Sequence, residues 1–239
     1  MKASSKFFAA TLLIPLLAVA APAVKPQLHL AGDSTMADKD PKILEYGWGQ
    51  ALPRFFTEPK MVHNYAANGR STLSFINEGI WQRLIDAVQP GDFVIIQFGH
   101  NDEKIDKPGV GTDAATTYRD NLRRFIREVR AKHGSPILAT SVCRRKFEAN
   151  GKLIDTHGAY PDGLRAVAVE AKVPLLELQR ATAQWLQALG DEPSKQFFTK
   201  LPNGKQDDTH FVEAGAVHVA ELAVAQIREQ KLPLAQWLK

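Results

Sequence analysis

A serine, a histidine and a carboxylate suitably placed make a nucleophile, its base and a group that orients the base. The sequence offers one such set. Ser34 stands in Leu28-His29-Leu30-Ala31-Gly32-Asp33-Ser34-Thr35-Met36, where Leu28 and Leu30 alternate as in a strand and Gly-Asp-Ser ends it. That puts a hydroxyl at the carboxyl end of a strand, the edge where open α/β sheets bind ligands. The base is His210, in Asp207-Asp208-Thr209-His210-Phe211. Asp207, three positions earlier, reaches the ring if the stretch winds into a helical turn, whereas Asp208 points elsewhere. With its proton passed to His210, Ser34 Oγ can attack a carbonyl. Only the neutral ring accepts that proton, so activity rises with pH as the ring titrates.

The oxyanion formed by such an attack needs donors. Asn68-Gly69-Arg70-Ser71 follows an apolar stretch at 61–66, and Gly99-His100-Asn101-Asp102 follows Phe93-Val94-Ile95-Ile96. Gly69 lacks a Cβ and can bring its N–H close, Asn101 carries an amide donor, and the Ser34 N–H completes three. Asp33 reads as fixing the turn. Ser71 and Ser74 are rival hydroxyls, but no Gly-x-Ser-x-Gly elbow occurs in the chain. His29, His63, His133 and His218 fall in or beside regular elements and read as structural. His100 either lines the site or points into the fold.

Bringing three loops to one edge demands a particular scaffold. Strands are expected at 28–32, 61–66, 93–98, 137–142 and 173–178, at intervals that suit βαβ units. The unbroken run Phe93 to Ile96 suits a parallel strand covered on both faces. Tyr118, Leu122, Phe125, Ile126 and Val129 form one stripe of a helix that starts after Thr112 or Asp113. Leu164, Val167, Ala168 and Ala171 mark a second helix, and Val217, Ala220, Val224 and Ile227 the last. The expected fold is α/β, a three-layer α/β/α sandwich on a five-stranded parallel sheet in flavodoxin-like order. Its site lies beside the switch between the first and third strands. Trp48 to Phe56 reads as a helical turn closing over the first strand, with Trp48 and Trp81 in the core. Two stretches, 143–162 and 191–208, read as long loops, and the first is the candidate for substrate recognition.

The four blocks Gly32-Asp33-Ser34, Gly69, Gly99-x-Asn101-Asp102 and Asp207-x-x-His210 resemble, in order, those of the SGNH (GDSL-type) hydrolases. The fuller wording, Gly-Asp-Ser-Thr-Met-Ala, Asn-Gly-Arg-Ser-Thr, Gly-His-Asn-Asp and Asp-x-Thr-His-Phe, is similar to the rhamnogalacturonan acetylesterase branch. The resemblance implies the SGNH fold, a catalytic Ser34, Asp207 and His210, and an oxyanion hole of Ser34, Gly69 and Asn101. It implies no cofactor and no metal, and a substrate of acetylated plant cell-wall polysaccharide. In that branch, patterns like Arg-Arg-x-Phe and Thr-x-Gly-x-Tyr accompany the loop after the fourth strand. They make Arg144, Arg145, His157 and Tyr160 candidate sugar contacts. Four other readings compete. A lipase or acyl-thioesterase of the same family usually carries leucine where this chain has Thr35, and xylan is a rival polysaccharide. A metal-dependent phosphoesterase would draw ligands from Asp33, His100, Asn101, Asp102, Asp207, Asp208 and His210, but its expected Gly-Asn-His-Asp order is transposed here. A glycan-binding module with a dead site fits poorly with an intact set.

Composition narrows the setting. The 239 residues suit one catalytic domain at 24–239, preceded at 1–23 by a cleaved secretory signal. In that signal Lys2 and Lys6 precede an apolar run from Phe7 to Ala20 and small residues at Ala21-Pro22-Ala23. Its removal takes both lysines and lowers the formal charge from +4 to +2. A nearly neutral mature protein favours neither nucleic acid nor membrane as partner. Cys143 is the only cysteine, so no internal disulfide exists, and a bacterial periplasm or secreted location suits the chain. It reads as a buried thiol rather than a nucleophile, and the protein as a monomer.

Overall fold

The computed structural model describes residues 25–239; the signal expected at 1–23 lies outside them. In chain order its strands and α-helices are β1 (Leu28–Gly32), α1 (Trp48–Ala51), β2 (Val62–Asn64), α2 (Thr72–Asn77), α3 (Ile80–Ala87), β3 (Phe93–Gln97), α4 (Thr117–Ala131), β4 (Ser135–Ala139), α5 (Tyr160–Ala171), β5 (Leu175–Leu176), α6 (Leu178–Leu189), α7 (Asp191–Ser194), β6 (Phe198–Lys200), β7 (Gln206–Phe211) and α8 (Glu213–Glu229).

The first five strands form one parallel sheet ordered β2-β1-β3-β4-β5, the flavodoxin-like order expected. Apolar residues on successive strand positions divide between two cores because side chains alternate across a sheet. Leu28, Leu30, Phe93 and Ile95 face α1 and α8, where Trp48, Val219, Ala223 and Ile227 are buried. Ala31, Val94 and Ile96 face the other way, onto Trp81, Leu84, Leu122, Phe125 and Leu164 of α3, α4 and α5. Each Val, Ile or Leu so buried contributes about 1.5–3 kcal/mol, and the third strand carries no polar residue before Gln97.

Four elements differ from expectation, beginning with the second strand, which shortens from 61–66 to Val62–Asn64. The fifth strand shrinks from 173–178 to Leu175–Leu176, since Pro174 has no N–H to donate and α6 begins at Leu178. The fourth starts earlier, at Ser135, and ends at Ala139. The stretch 191–208 is not an open loop: α7 and a 3-10 turn lead into an antiparallel pair, β6 with β7. That pair carries half of the site.

Candidate active site

The loops after β1, β2 and β3 leave the same edge of the sheet. In the first, Asp33 is fully buried and tightens the turn around Ser34. Its Oδ1 accepts from the Thr35 N–H at 2.9 Å and the Thr35 hydroxyl at 2.8 Å. Its Oδ2 accepts from Gln97 Nε2 at 3.3 Å and stands 3.2 Å from His100 Nδ1. Burial opposes ionisation of Asp33, yet the adjoining His100 ring and the Thr35 donors outweigh it and hold the carboxyl at about 2. Burial also pushes His100 below its ordinary value, against the pull of the Asp33 carboxylate that its Nδ1 faces. Of the two orientations open to His100, the fold adopts the inward one.

Ser34 Oγ lies 2.9 Å from His210 Nε2, and His210 Nδ1 lies 2.8 Å from Asp207 Oδ2. The helical turn expected around Asp207 is not there. Asp207 and His210 belong to β7, whose pairing with β6 runs Phe198 to Phe211 and Lys200 to Gln206. Residues 207–210 therefore stand opposite Thr199 alone, in a wide bulge. The carboxylate shapes it: Asp207 Oδ1 accepts the N–H of Thr209 at 2.7 Å and of His210 at 3.0 Å, which leaves Oδ2 for the ring. Burial would raise the Asp207 carboxyl, but the bond from the His210 side chain and the two backbone donors bring it down to about 2. Asp208 points away, as expected, and pairs with the Arg145 guanidinium.

Gly69 has φ +76, and a Cβ there would meet nothing within 4 Å. The left-handed backbone is a reason for glycine here that the sequence did not state. Neither the Ser34 nor the Gly69 N–H donates to a backbone carbonyl among the described residues. Asn101 is buried, with Nδ2 donating to the Arg70 carbonyl at 3.1 Å and a second N–H left over. Sequence reasoning missed the tie between these loops: Asp102 is buried and accepts from Thr72 Oγ1 at 2.6 Å and Thr112 Oγ1 at 2.9 Å. Burial pushes its carboxyl up to about 7 against those two threonines.

The four residues expected to touch sugar spend their donors inside the fold. Arg145 is buried between Asp191 and Asp208, and His157 is buried between Glu103 and the Val142 carbonyl, which corrects the expectation for both. The Tyr160 hydroxyl donates to the backbone carbonyls of Asp102 and Thr112. Arg144, half-buried, donates to Glu103 at 2.8 Å and to the His100 carbonyl at 3.4 Å. A loop without a strand partner must satisfy its polar groups through side chains, and these residues do so. Cys143 is buried and its thiol is pushed up to about 11 by that burial, so it is held as an unreactive thiol.

The metal-ligand set of the phosphoesterase reading is not brought together. Asp33 faces His100, Asp102 faces threonines and Asp208 faces Arg145. Among the described residues, one group has ligand atoms within 4.8 Å of one another: Glu45, Asp207 and His210. Two of its members already bond to each other, and Glu45 pairs with buried Lys39 at 3.1 Å. Glu45 gave no signal in the sequence, because its loop carries no recognisable motif.

Residues 30–217 match the family model of GDSL-like lipases and acylhydrolases. The chain belongs to this GDSL-like lipase/acylhydrolase family. It is 40% identical over 221 residues to the rhamnogalacturonan acetylesterase RhgT of Bacillus subtilis, covering 89% of this chain and 94% of that one. It is 34% identical over 209 residues to the probable rhamnogalacturonan acetylesterase YesY of the same organism, covering 87% and 95%. Among solved structures, the Bacillus subtilis protein YxiM superposes with a TM-score of 0.77 at 27% identity, over 89% of this chain and 58% of its own. The acetylxylan esterase Axe2 of Geobacillus stearothermophilus shares the fold, with a TM-score of 0.59 at 17% identity over 84% and 94%. As a GDSL-like acylhydrolase, the chain sorts with ester-cleaving enzymes; its first three sequence blocks fall in loops at one edge of the parallel sheet, and the fourth lies on β7.

Proposed function

We propose that this protein removes O-acetyl groups from rhamnogalacturonan, or a closely similar pectic polysaccharide, through an acetyl-serine intermediate. The observation that carries the reading is the unbroken line from Asp207 through His210 to Ser34, at 2.8 and 2.9 Å. His210 Nε2 takes the Ser34 proton as Oγ attacks the acetyl carbonyl. Asp207, held ionised, orients the ring and stabilises its protonated form. The N–H groups of Ser34, Gly69 and Asn101 receive the oxyanion. His210 then protonates the departing sugar hydroxyl, and water activated by the same ring hydrolyses the acetyl-Ser34 ester. Nothing in this sequence of steps calls on a cofactor or a metal.

The choice of polysaccharide is supported by the names of the Bacillus relatives at 40% and 34% identity. Residues 1–23 act in this reading as a leader cleaved on export, with 24–239 the working enzyme in the periplasm or outside a bacterial cell. No helix of the described residues is long and apolar enough to cross a membrane, in keeping with that reading. The test is acetate release from acetylated rhamnogalacturonan by the mature protein in EDTA. Wild type is expected to release acetate, and Ser34→Ala to lower kcat about 10⁶-fold. Equal release by both, or release by neither on this polymer, overturns the proposal.

A further inference from the structure

The three amides read as oxyanion donors share a feature at their far ends. The N–H and C=O of an amide belong to one conjugated unit, so a donor bound at the oxygen strengthens the N–H as a donor in turn. The Ser34 N–H belongs to the Asp33–Ser34 peptide, whose carbonyl accepts from the N–H of Met36 at 3.2 Å and of Ala37 at 3.0 Å. The Gly69 N–H belongs to the Asn68–Gly69 peptide, whose carbonyl accepts from Arg70 Nη1 at 2.7 Å. That guanidinium is itself held by Glu78, with Nε donating to Oε2 at 2.8 Å. The Asn101 amide is bound likewise, its Oδ1 accepting from Lys104 Nζ at 2.6 Å.

We infer that Arg70 and Lys104 are positioning residues of the oxyanion hole, each gripping the carbonyl end of one donor amide with a full positive charge. This rests on the reading of Gly69 and Asn101 as the donors. Neither cation touches the ester in this role. Hydrogen bonds to an ionised donor are about twice as strong as neutral ones, so the grip is firm. It also fixes direction. A flipped Asn101 amide would turn its N–H₂ toward the Lys104 ammonium and its oxygen toward the Arg70 carbonyl, two mismatches at once. Arg70 thereby acts twice, with its guanidinium on the Gly69 peptide and its carbonyl under Asn101. Lys104 is exposed and the Arg70 side chain is 39% exposed, so solvent screens their direct pull on the oxyanion. What they transmit passes through the amides they hold.

The test is a double-mutant cycle on acetate release, with kcat and KM determined separately. Lys104→Met is expected to lower kcat about five- to twentyfold with KM unchanged within about twofold, and Lys104→Arg to recover most of the loss. In an Asn101→Ala background, Lys104→Met is expected to do nothing more. Arg70→Met should lower kcat in either background, because the Gly69 donor remains, and Arg70→Lys should partly restore it. The inference falls if Lys104→Met alone leaves kcat unchanged, or if its loss persists undiminished beside Asn101→Ala, which would place the ammonium on the substrate. Should Asn101→Ala itself leave kcat unchanged, the oxyanion-hole reading is what fails. A urea midpoint recorded for each variant separates a weakened hole from a weakened fold.

Discussion

Two carboxylate–imidazole pairs stand near Ser34, and they are alike in most respects. Asp33 and His100 meet at 3.2 Å, with side chains 0% and 4% exposed; Asp207 and His210 meet at 2.8 Å, 10% and 26% exposed. Burial opposes ionisation of both carboxyls, donors outweigh it in both, and both come to about 2. Acidity therefore does not tell the pairs apart; the far ring nitrogen does. His210 Nε2 faces the Ser34 hydroxyl at 2.9 Å, while His100 Nε2 is buried without a partner among the described residues. A histidine that bonds an aspartate has its tautomer fixed, but it becomes a base only when its other nitrogen meets a hydroxyl that substrate can reach. The inner pair spends the same geometry on holding a turn.

Substitution should make the two pairs diverge. Asp207→Asn is expected to lower kcat by up to about 10⁴-fold, measured as acetate release, while the urea midpoint hardly moves. Asp33→Asn should do the reverse in kind: a loss of about 2–4 kcal/mol of stability in urea unfolding, because an amide nitrogen would face donors in a dry network. If Asp33→Asn leaves stability intact and abolishes activity, the division of labour proposed here is wrong. Acid sharpens the contrast. Asp33 is depressed from 3.8 to about 2, so its stabilisation is present above about pH 4 and is lost as pH falls toward 2. For a fully buried carboxyl that amounts to about 2 kcal/mol of the difference between urea unfolding at pH 6 and at pH 2.5, and Asp33→Asn should remove about that much of it, leaving the share of the equally depressed Asp207. The smallest effect belongs to Asp208→Asn, which keeps a polar partner for Arg145 and should leave kcat within about threefold. A loss there larger than at Asp207 would exchange their roles.

How far these features were readable before the fold was seen depends on how local their causes are. The first and third strands were legible because Leu28, Leu30 and the run Phe93 to Ile96 state their burial in their own residues. The α4 stripe of Tyr118, Leu122, Phe125 and Val129 was legible for the same reason. That Ser34, Asp207 and His210 come together could be read, but not the backbone that joins the last two. A spacing of three suggests a helical turn, and only the distant partner β6 turns the same spacing into a bulge. Arg145 failed for a related reason. Its partners Asp191 and Asp208 lie 46 and 63 residues away, and nothing near Arg145 in sequence separates a buried ion pair from a sugar contact. The left-handed φ of Gly69 leaves no trace in composition, so only its missing Cβ could be argued from the sequence.

Ser34 rides on the large parallel sheet, while His210 rides on a two-stranded flap. That flap is fastened by a few bonds, including the Tyr46 N–H to the Phe211 carbonyl at 2.8 Å and the Arg145 N–H to the Asp208 carbonyl at 2.7 Å. Phe198 and Phe211 seat it in the core under α1 and α8 as well, so competence to cleave is a matter of docking between two pieces. Because those two rings are buried in the core beneath α8, the flap cannot lift without opening that core, so on warming the loss of acetate release is expected to track the loss of helical signal.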